Sequence, residues 1–154
     1  MSLTEMDLQP VSEEDMASVM TLEASMPDSP LWASATDEEQ RAIVRQGNMF
    51  GIYKDGVLIG KVGFWNNPEE GWEVDGMIVL REFRNKQYGS ELFDYALRQI
   101  REKEHPASLV LYTHPSNSPA IRMYLRAGFD ITDFIRNKYG PGKDRLQMKK
   151  ILPS

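Results

Sequence analysis

Two segments of this sequence carry residues suited to binding a polar ligand. The first follows a strand-like run, Met77-Ile78-Val79, and reads Arg84-Asn85-Lys86-Gln87-Tyr88-Gly89-Ser90 at the start of a helical segment. A helix N-terminus carries unpaired N–H groups and the positive end of the helix dipole, so it suits a phosphate group. Two cations and a glycine that permits close approach favour the same chemistry. Taken alone, the pattern also fits an ordinary solvated turn.

The second segment runs from Asn117 to Phe129 and places Tyr124 two helical turns after Asn117. Pro119 suits the first turn of a short helix, and Gly128 suits its end. By pattern alone, Asn117 is a helix cap and Tyr124 is an amphipathic core residue. The order and spacing of the two segments therefore matter more than either segment by itself.

Hydrophobic periodicity and turn residues predict the elements that position these segments. Ser12, with Asp15 three residues later, predicts a capped helix start, and Thr36 with Glu39 predicts a capping box. The predicted helices span residues 13–25, 36–47, 88–103 and 119–127. The predicted strands span residues 6–11, 49–53, 57–65, 72–80, 109–112, 129–138 and 145–152. Gly76, inside a strand, indicates a bulge or a close approach by a ligand or another backbone.

Composition narrows the class of protein. The length of 154 residues, of which 41% are hydrophobic and 27% charged, predicts one globular domain over residues 1–154, and the order of the predicted helices and strands makes it an α+β domain. The chain has no cysteine and only two histidines, so we expect neither a thiol nucleophile nor a metal site. No run approaches the length of a membrane-spanning helix, and no secretory signal is evident, which predicts a cytoplasmic protein without a membrane partner.

Charge is distributed unevenly along the chain. The net charge of −5 argues against nucleic acid as the main partner. Residues 1–40 hold ten acidic residues and no Lys or Arg, so the remaining residues carry 18 basic against 13 acidic side chains. Acidic helix starts favour solubility, which explains part of this asymmetry. The alternative is that one end attracts a cation while the remainder suits an anion.

Together, the two segments resemble the GNAT superfamily of acyl-CoA N-acyltransferases. The phosphate loop of that family reads R/Q-x-x-G-x-G/A, and its later signature reads N-x-x-A-x-x-x-Y-x-x-x-G-F. Asn117, Ala120, Tyr124, Gly128 and Phe129 are all in register with the later signature. The loop matches at its first and last positions, whereas Gln87 stands where the family usually has its middle glycine. The N–H of Gln87 can still bind phosphate if its φ is negative.

The resemblance implies a GNAT-like fold, with a mixed, mostly antiparallel central sheet flanked by about four helices. It also implies acetyl-CoA as the cosubstrate and roles for the matching residues. The backbone of Met77, Ile78 and Val79 would pair with the pantetheine amides like an added strand. The implied cofactor-binding positions beyond that strand are Arg84, Asn85, Lys86, Gln87, Tyr88, Gly89, Ser90, Asn117, Ala120 and Tyr124.

Tyr124 is implied to protonate the departing thiolate as general acid. Its phenol has a reference pKa of about 10 against about 8.5 for a thiol, so a stabilising hydrogen bond is an alternative description. A protonated amine acceptor must also lose a proton before it attacks. Glu73 is the first candidate base, because some family members carry a carboxylate there, and Asp75 is the second.

The sequence thus predicts an enzyme that transfers an acetyl group to a primary amine by direct attack in a ternary complex. The acidic first 40 residues favour a small cationic amine, with Met26, Leu31 and Trp32 as an apolar wall. A protein N-terminus or lysine is an alternative acceptor. A non-catalytic acyl-CoA sensor is the alternative from another class. Homodimer formation is left open.

Overall fold

A computed structural model of the chain describes residues 6–27, 32, 35–84 and 86–153. Within these ranges the strands are β1 (Met6–Pro10), β2 (Met49–Lys54), β3 (Val57–Asn67), β4 (Gly71–Val79), β5 (Ser108–Thr113), β6 (Asp130–Ile135) and β7 (Arg145–Ile151). The α-helices are α1 (Met16–Ala24), α2 (Asp37–Arg45), α3 (Tyr88–Glu104) and α4 (Ser118–Arg126). Short 3-10 turns span Glu13–Asp15 and Arg81–Phe83. Each predicted element is present, with ends that differ by a few residues.

The strands form one sheet in the order β1-β2-β3-β4-β5-β7-β6. All neighbours are antiparallel except β4 and β5, which are parallel. The prediction of an α+β domain with a mixed, mostly antiparallel sheet is therefore confirmed. The parallel pair joins two antiparallel halves of the sheet, and its geometry decides where a ligand can enter.

Capping explains where α2 begins and ends. The Thr36 hydroxyl accepts from Glu39 N, and the Glu39 carboxylate accepts from Thr36 N, which completes the predicted capping box. Gly47 follows the helix with φ of +75°, a conformation that glycine adopts without strain. The predicted capped start at Ser12 is also present, although Asp15 does not complete a capping box. The Ser12 hydroxyl accepts from Glu14 N, and the Asp15 carboxylate is engaged by the hydroxyl of Tyr53.

Two buried clusters pack on the sheet. Adjacent residues Met49 and Phe50 belong to different clusters, because successive side chains of a strand point to opposite faces. The Phe50 cluster includes α3 through Phe93 and α4 through Tyr124. The Met49 cluster includes α1 and α2. The helices therefore cover both faces of the sheet, and α4 brings Tyr124 up to the strands.

The predicted bulge is present at Gly76. Lys61 pairs with Ile78 and Gly63 with Asp75, so a single β3 residue lies opposite two residues of β4. The close approach at Gly76 comes from a side chain. A Cβ built there would lie 2.4 Å from Cη2 of Trp32, so the indole ring is the group that approaches.

Candidate active site

A cavity opens where β4 and β5 separate. The two strands pair at a single position, Glu73 with Val110. Beyond it the β4 backbone has no pairing with β5, and a cavity of about 610 Å³ lies in the gap. Ten of the predicted site residues line it: Glu73, Asp75, Met77, Ile78, Val79, Arg84, Gly89, Asn117, Ala120 and Tyr124.

The predicted phosphate loop only partly reaches this cavity. Arg84 and Gly89 line it, whereas Lys86, Gln87, Tyr88 and Ser90 do not, and Asn85 lies outside the described residues. The Arg84 Nε–H donates to the carbonyl oxygen of Val79 at 2.9 Å, which ties the loop to the end of β4. A phosphate held by the N-terminus of α3 would therefore lie at the mouth of the cavity.

Gln87 differs from the expectation of a negative φ. Its φ is +66° and its ψ is 3°, in the left-handed region, immediately before α3. A β-carbon is unfavourable in this conformation by roughly 1–2 kcal/mol. The position thus requires the backbone that glycine adopts freely, which explains why the resembled family has glycine there.

Asn117 is both a helix cap and a residue of the cavity wall. It caps α4, because its Oδ1 accepts from Ala120 N at 3.4 Å. It also lines the cavity, as Ala120 does. With Oδ1 directed to the helix, the side-chain NH₂ group has no hydrogen bond to another described residue and can donate to a ligand.

Tyr124 presents an accessible hydroxyl in otherwise buried surroundings. Its ring packs edge-on against Phe93, with 5.2 Å between the centroids, and 9% of its surface stays exposed. The hydroxyl makes no hydrogen bond within the described part of the chain and is not among the fully enclosed polar atoms. Burial raises the pKa of the Tyr124 phenol to about 12. The group is therefore a persistent hydrogen-bond donor to anything in the cavity.

Glu73 and Asp75 lie on one face of β4 and are each held through one oxygen. Trp65 Nε1–H donates to Glu73 Oε2 at 2.7 Å, and Gln40 Nε2–H donates to Asp75 Oδ2 at 2.9 Å. Burial raises the pKa of each carboxyl above its ordinary value, and these hydrogen bonds oppose the rise. The second oxygen of each carboxylate has no partner among the described residues and stays accessible.

A buried ion pair lies behind Asp75. Lys61 and Gln40 are both 0% exposed, and Lys61 Nζ lies 3.0 Å from Glu23 Oε2. These residues were not predicted to belong to the site. A signal was present, because Lys61 interrupts the apolar run of β3 and Gln40 falls on the stripe of α2 that Ile43 and Val44 continue.

The expected acidic acceptor wall is only partly present. Glu23 lines the cavity but pairs with Lys61. No other described carboxylate of residues 6–40 lines it, and Glu13 pairs with Arg45 and Asp37 with Arg41. The described carboxylates of the first 40 residues therefore leave little unpaired negative charge in the cavity. Met26 and Trp32 do line it, and Leu31 lies outside the described residues.

The hairpin between β6 and β7 contributes residues that the sequence analysis missed. Tyr139 and Arg145 line the cavity, and the guanidinium carbon lies 5.1 Å from the tyrosine ring centroid. Burial raises the pKa of Tyr139 to about 12. Tyr112 of β5 also lines the cavity, and its hydroxyl donates to Glu70 Oε2 at 2.6 Å. Tyr112 and Tyr139 thus add aromatic rings to the lining of the cavity.

Neither a metal-type cluster nor a spanning helix is found within the described ranges. No three His, Cys, Asp or Glu side chains among those residues are grouped so that they could hold a metal ion. In the same part of the chain, every helix is too short or too polar to cross a membrane.

Comparisons with known sequences identify a family. The model of the acetyltransferase (GNAT) family matches residues 15–129. The catalytic subunit NAA20 of the N-terminal acetyltransferase B complex of Arabidopsis thaliana is 33% identical over 100 residues, which cover 63% of this chain and 55% of that protein. An N-alpha-acetyltransferase of Sulfurisphaera tokodaii is 29% identical over 79 residues, 51% of this chain and 47% of that protein. The chain thus spans about half the length of these relatives.

Solved structures confirm the predicted GNAT-like fold. Ard1 of Thermoplasma volcanium superposes with a TM-score of 0.82 at 22% identity, covering 97% of this chain and 99% of that one. A chain of the NatC complex bound to Gag peptide and CoA gives 0.82 at 18%, with coverage of 97% and 99%. Naa50 of A. thaliana, bound to the bisubstrate analogue CoA-Ac-MVNAL, gives 0.78 at 20%, with coverage of 96% and 99%.

Proposed function

The chain belongs to the acetyltransferase (GNAT) family, and from this premise we propose that it transfers acetyl from acetyl-CoA to the α-amine of a peptide chain. Family membership confirms the predicted resemblance and the predicted class, an acyltransferase. Both sequence relatives are N-terminal or N-alpha-acetyltransferases, which supports this choice of acceptor. A cytoplasmic location and one domain over residues 1–154 are predictions that accompany the proposal.

One observation carries the proposal. The accessible Tyr124 hydroxyl and the free carboxylate oxygens of Glu73 and Asp75 line the same cavity, at the point where β4 loses its pairing with β5. A donor for a leaving group and an acceptor for an amine proton thus share one space. An acyl transfer that passes through no enzyme-bound intermediate requires only these two groups and a fixed orientation of the substrates.

The gap between β4 and β5 is suited to the arm of CoA. The β4 backbone beyond Glu73 is free of β5 and can pair with the amides of an extended ligand. Asn117 can donate from its NH₂ group, and Gly89 leaves room beside Met77 and Val79. Two of the similar solved structures contain CoA or a CoA analogue. CoA would supply the thioester that activates the acetyl group.

The charges in the cavity favour a weakly basic amine. Glu23 is neutralised by Lys61, so Glu73 and Asp75 are the acidic residues that line the cavity without an ion-pair partner within the described part of the chain. A peptide α-amine has a reference pKa of about 7.7–8.0, against about 10.4 for a lysine side chain. It is therefore partly deprotonated at neutral pH and needs only a weak base. A polyamine would need several unpaired carboxylates.

In the proposed reaction, the amine nitrogen attacks the thioester carbonyl, a C–N bond forms and the C–S bond breaks. The proton of the amine passes to Glu73 or Asp75, directly or through one water. The thiolate accepts a hydrogen bond from Tyr124. Because the pKa of Tyr124 is about 12, stabilisation of the thiolate by this hydrogen bond requires less than full proton transfer.

A small cationic amine, which the sequence favours, is the second candidate. Its support is the pair of carboxylates on one face of β4. Purified protein with acetyl-CoA is tested against matched peptides with a free or an acetylated N-terminus, each with and without an internal lysine, and against spermidine. Thiol release and mass spectrometry should show one acetyl group on free N-termini only. Turnover confined to spermidine would support the second candidate, and CoA binding without thiol release would indicate a sensor.

A further inference from the structure

The side chain of Lys61 is enclosed on β3 between two partners. Its Nζ lies 3.0 Å from Glu23 Oε2 and donates to Gln40 Oε1 at 2.7 Å. Neither Lys61 nor Gln40 lines the cavity. Gln40 continues the chain of hydrogen bonds to Asp75 Oδ2, which does line it. A buried cation is thus connected to a carboxylate of the candidate site through one amide.

Lysine fixes the orientation of this amide. An ammonium group has three donors and no acceptor, so Gln40 must direct its oxygen to Lys61. The NH₂ group of Gln40 must then face Asp75, where it donates to Oδ2. In the opposite orientation, the NH₂ group of Gln40 would face the ammonium group of Lys61, so that donors would meet donors. The amide oxygen would then face Asp75, which would have no donor. Lys61 therefore determines that Gln40 presents a donor to Asp75, and Asp75 Oδ1 stays free for the cavity.

Stability alone does not account for this arrangement. Burial of an ammonium and a carboxylate costs several kcal/mol per ion, and apolar residues of similar volume are often as stabilising. Glu23 of α1 also accepts from Ala35 N, which precedes α2, at 3.1 Å. Because Lys61 of β3 also donates to Gln40 of α2, the ion pair connects α1, α2 and β3 beside the cavity. A role in positioning Asp75 accounts for the hydrogen bonds that lead from Lys61 through Gln40 to Asp75.

We propose that Gln40, oriented by Lys61, is a positioning residue that presents Asp75 as the carboxylate accepting the proton of the acceptor amine. The inference rests on the proposed transfer to an amine and selects Asp75 over Glu73. The N–H bond of the amine breaks, its electron pair is left for attack on the thioester, and an O–H bond forms at Asp75 Oδ1, directly or through one water.

The surroundings of Asp75 determine how a variant shifts its titration. Burial raises the pKa of Asp75, whereas the hydrogen bond from Gln40 and the charge of Lys61 lower it. The other charged or titratable groups that face it are Glu23, Glu39, Glu73 and Tyr139. Loss of the Gln40 donor should raise the pKa further. The acidic limb of the pH profile of kcat/KM should therefore move to higher pH.

The experiment compares Gln40→Met, Asp75→Asn and the double variant with a free-N-terminus peptide and acetyl-CoA. Asp75→Asn should lower kcat about 100-fold and remove the acidic limb. Gln40→Met should lower kcat about tenfold, move the limb to higher pH and leave the KM for acetyl-CoA unchanged. In the Asp75→Asn background, Gln40→Met should change kcat less than about twofold. Gln46→Met, at the exposed end of α2, is the matched control.

Gln40→Glu is the second variant if Gln40→Met does not fold. It keeps an acceptor for Lys61 but offers Asp75 a negative charge, so the limb should again move to higher pH. Equal effects of Gln40→Met in both backgrounds, or a limb that Glu73→Gln removes and Asp75→Asn does not, would overturn the inference and leave acetyl transfer intact. Absence of transfer to any amine by the wild type would instead overturn the proposed function.

Discussion

The indole ring of Trp32 occupies the space that a side chain at Gly76 would need. A Cβ on Gly76 would lie 2.4 Å from Cη2 of Trp32 and 3.0 Å from Cζ3. Gly76 lies at the bulge of β4, between Asp75 and the strand residues proposed to bind the pantetheine arm. The indole therefore packs on the strand that carries the candidate base, and the residue that permits this is a glycine.

Gly76→Ala should displace the indole. A methyl group cannot fit at this distance, so we expect a loss of about 1–3 kcal/mol in the free energy of unfolding, measured by urea denaturation. Because Trp32 lines the cavity, the KM for the acceptor should rise about tenfold, a change worth about 1.4 kcal/mol of binding. The KM for acetyl-CoA should change less.

The double variant Trp32→Ala/Gly76→Ala is the control for this contact. Once the indole is removed, the added methyl group has space, so alanine at position 76 should cost less than about 0.5 kcal/mol relative to Trp32→Ala alone. An equal cost in both backgrounds would show that the penalty comes from the bulge itself.

Gln87→Gly should stabilise the protein. Relief of the left-handed backbone at φ +66° is worth roughly 1–2 kcal/mol, and the greater freedom of glycine in the unfolded chain removes about 0.5–1 kcal/mol of that gain. We expect a net increase of about 0.5–1 kcal/mol in the free energy of unfolding, with no rise in the KM for acetyl-CoA.

The matched control is Gln46→Gly. Gln46 ends α2 with φ of −77°, a right-handed conformation that glutamine adopts without strain. The same substitution should therefore lower the free energy of unfolding by about 0.5–1 kcal/mol. Opposite signs at positions 46 and 87 would identify the backbone conformation as the cause, and equal signs would contradict it.

Local signals were sufficient for much of the fold. The Thr36 capping box and the glycine after α2 depend on residues close in sequence, and both are present. Lys54-Asp55-Gly56 joins two of the predicted strands, and Asp55 and Gly56 have the positive φ values that a tight hairpin turn requires. Ser12 also caps its helix start as predicted, whereas the Asp15 carboxylate accepts from the hydroxyl of Tyr53, which is 38 residues away in sequence.

The candidate site likewise contains residues that the sequence predicts and residues that it does not. Asn117 and Tyr124 are predicted through their register with the GNAT signature, because helix spacing alone predicts only a cap and a core residue there. Lys61 and Gln40 were missed, because their partners are 21 or more residues away in sequence and a charged residue in a strand is usually exposed. Tyr139 and Arg145 reach the cavity only through the path of a hairpin, which no spacing rule predicts.

Glu73→Gln should reduce the loss of folding stability that occurs as the pH rises. Burial raises the pKa of Glu73 above its ordinary value of 4.5, so the folded state binds the proton more tightly than the unfolded state. The resulting stabilisation is present below 4.5 and is lost as the pH rises through the raised pKa. Glutamine does not titrate and still accepts from Trp65. The Tm advantage of Glu73→Gln should therefore be larger at about pH 8 than at about pH 4.

Glu102→Gln is the comparison variant for this pH dependence, because Glu102 is exposed on α3. It should change the free energy of unfolding by less than about 0.5 kcal/mol at either pH. A Tm advantage of Glu73→Gln that is constant with pH would mean that burial of the carboxyl is not what distinguishes the two variants.

Tyr124→Phe should lower kcat without unfolding the protein. The hydroxyl makes no hydrogen bond within the described part of the chain, so its removal should cost less than about 0.5 kcal/mol of stability. The ring keeps its edge contacts with Phe93. Loss of a hydrogen bond made to developing charge typically costs about 100-fold or more in kcat. Since the pKa of Tyr124 is about 12, the pH profile of kcat for the wild type should show no limb from this group near neutral pH.

Tyr95→Phe is the matched control for Tyr124→Phe, because Tyr95 lies on α3 with its ring edge-on to Phe50, at 5.9 Å between centroids, and does not line the cavity. It should retain the kcat of the wild type. Stopped-flow measurement of thiol release should place the loss in Tyr124→Phe in the transfer step, with the KM for both substrates nearly unchanged. Undiminished turnover in Tyr124→Phe would remove the phenol from the reaction and leave water to protonate the thiolate.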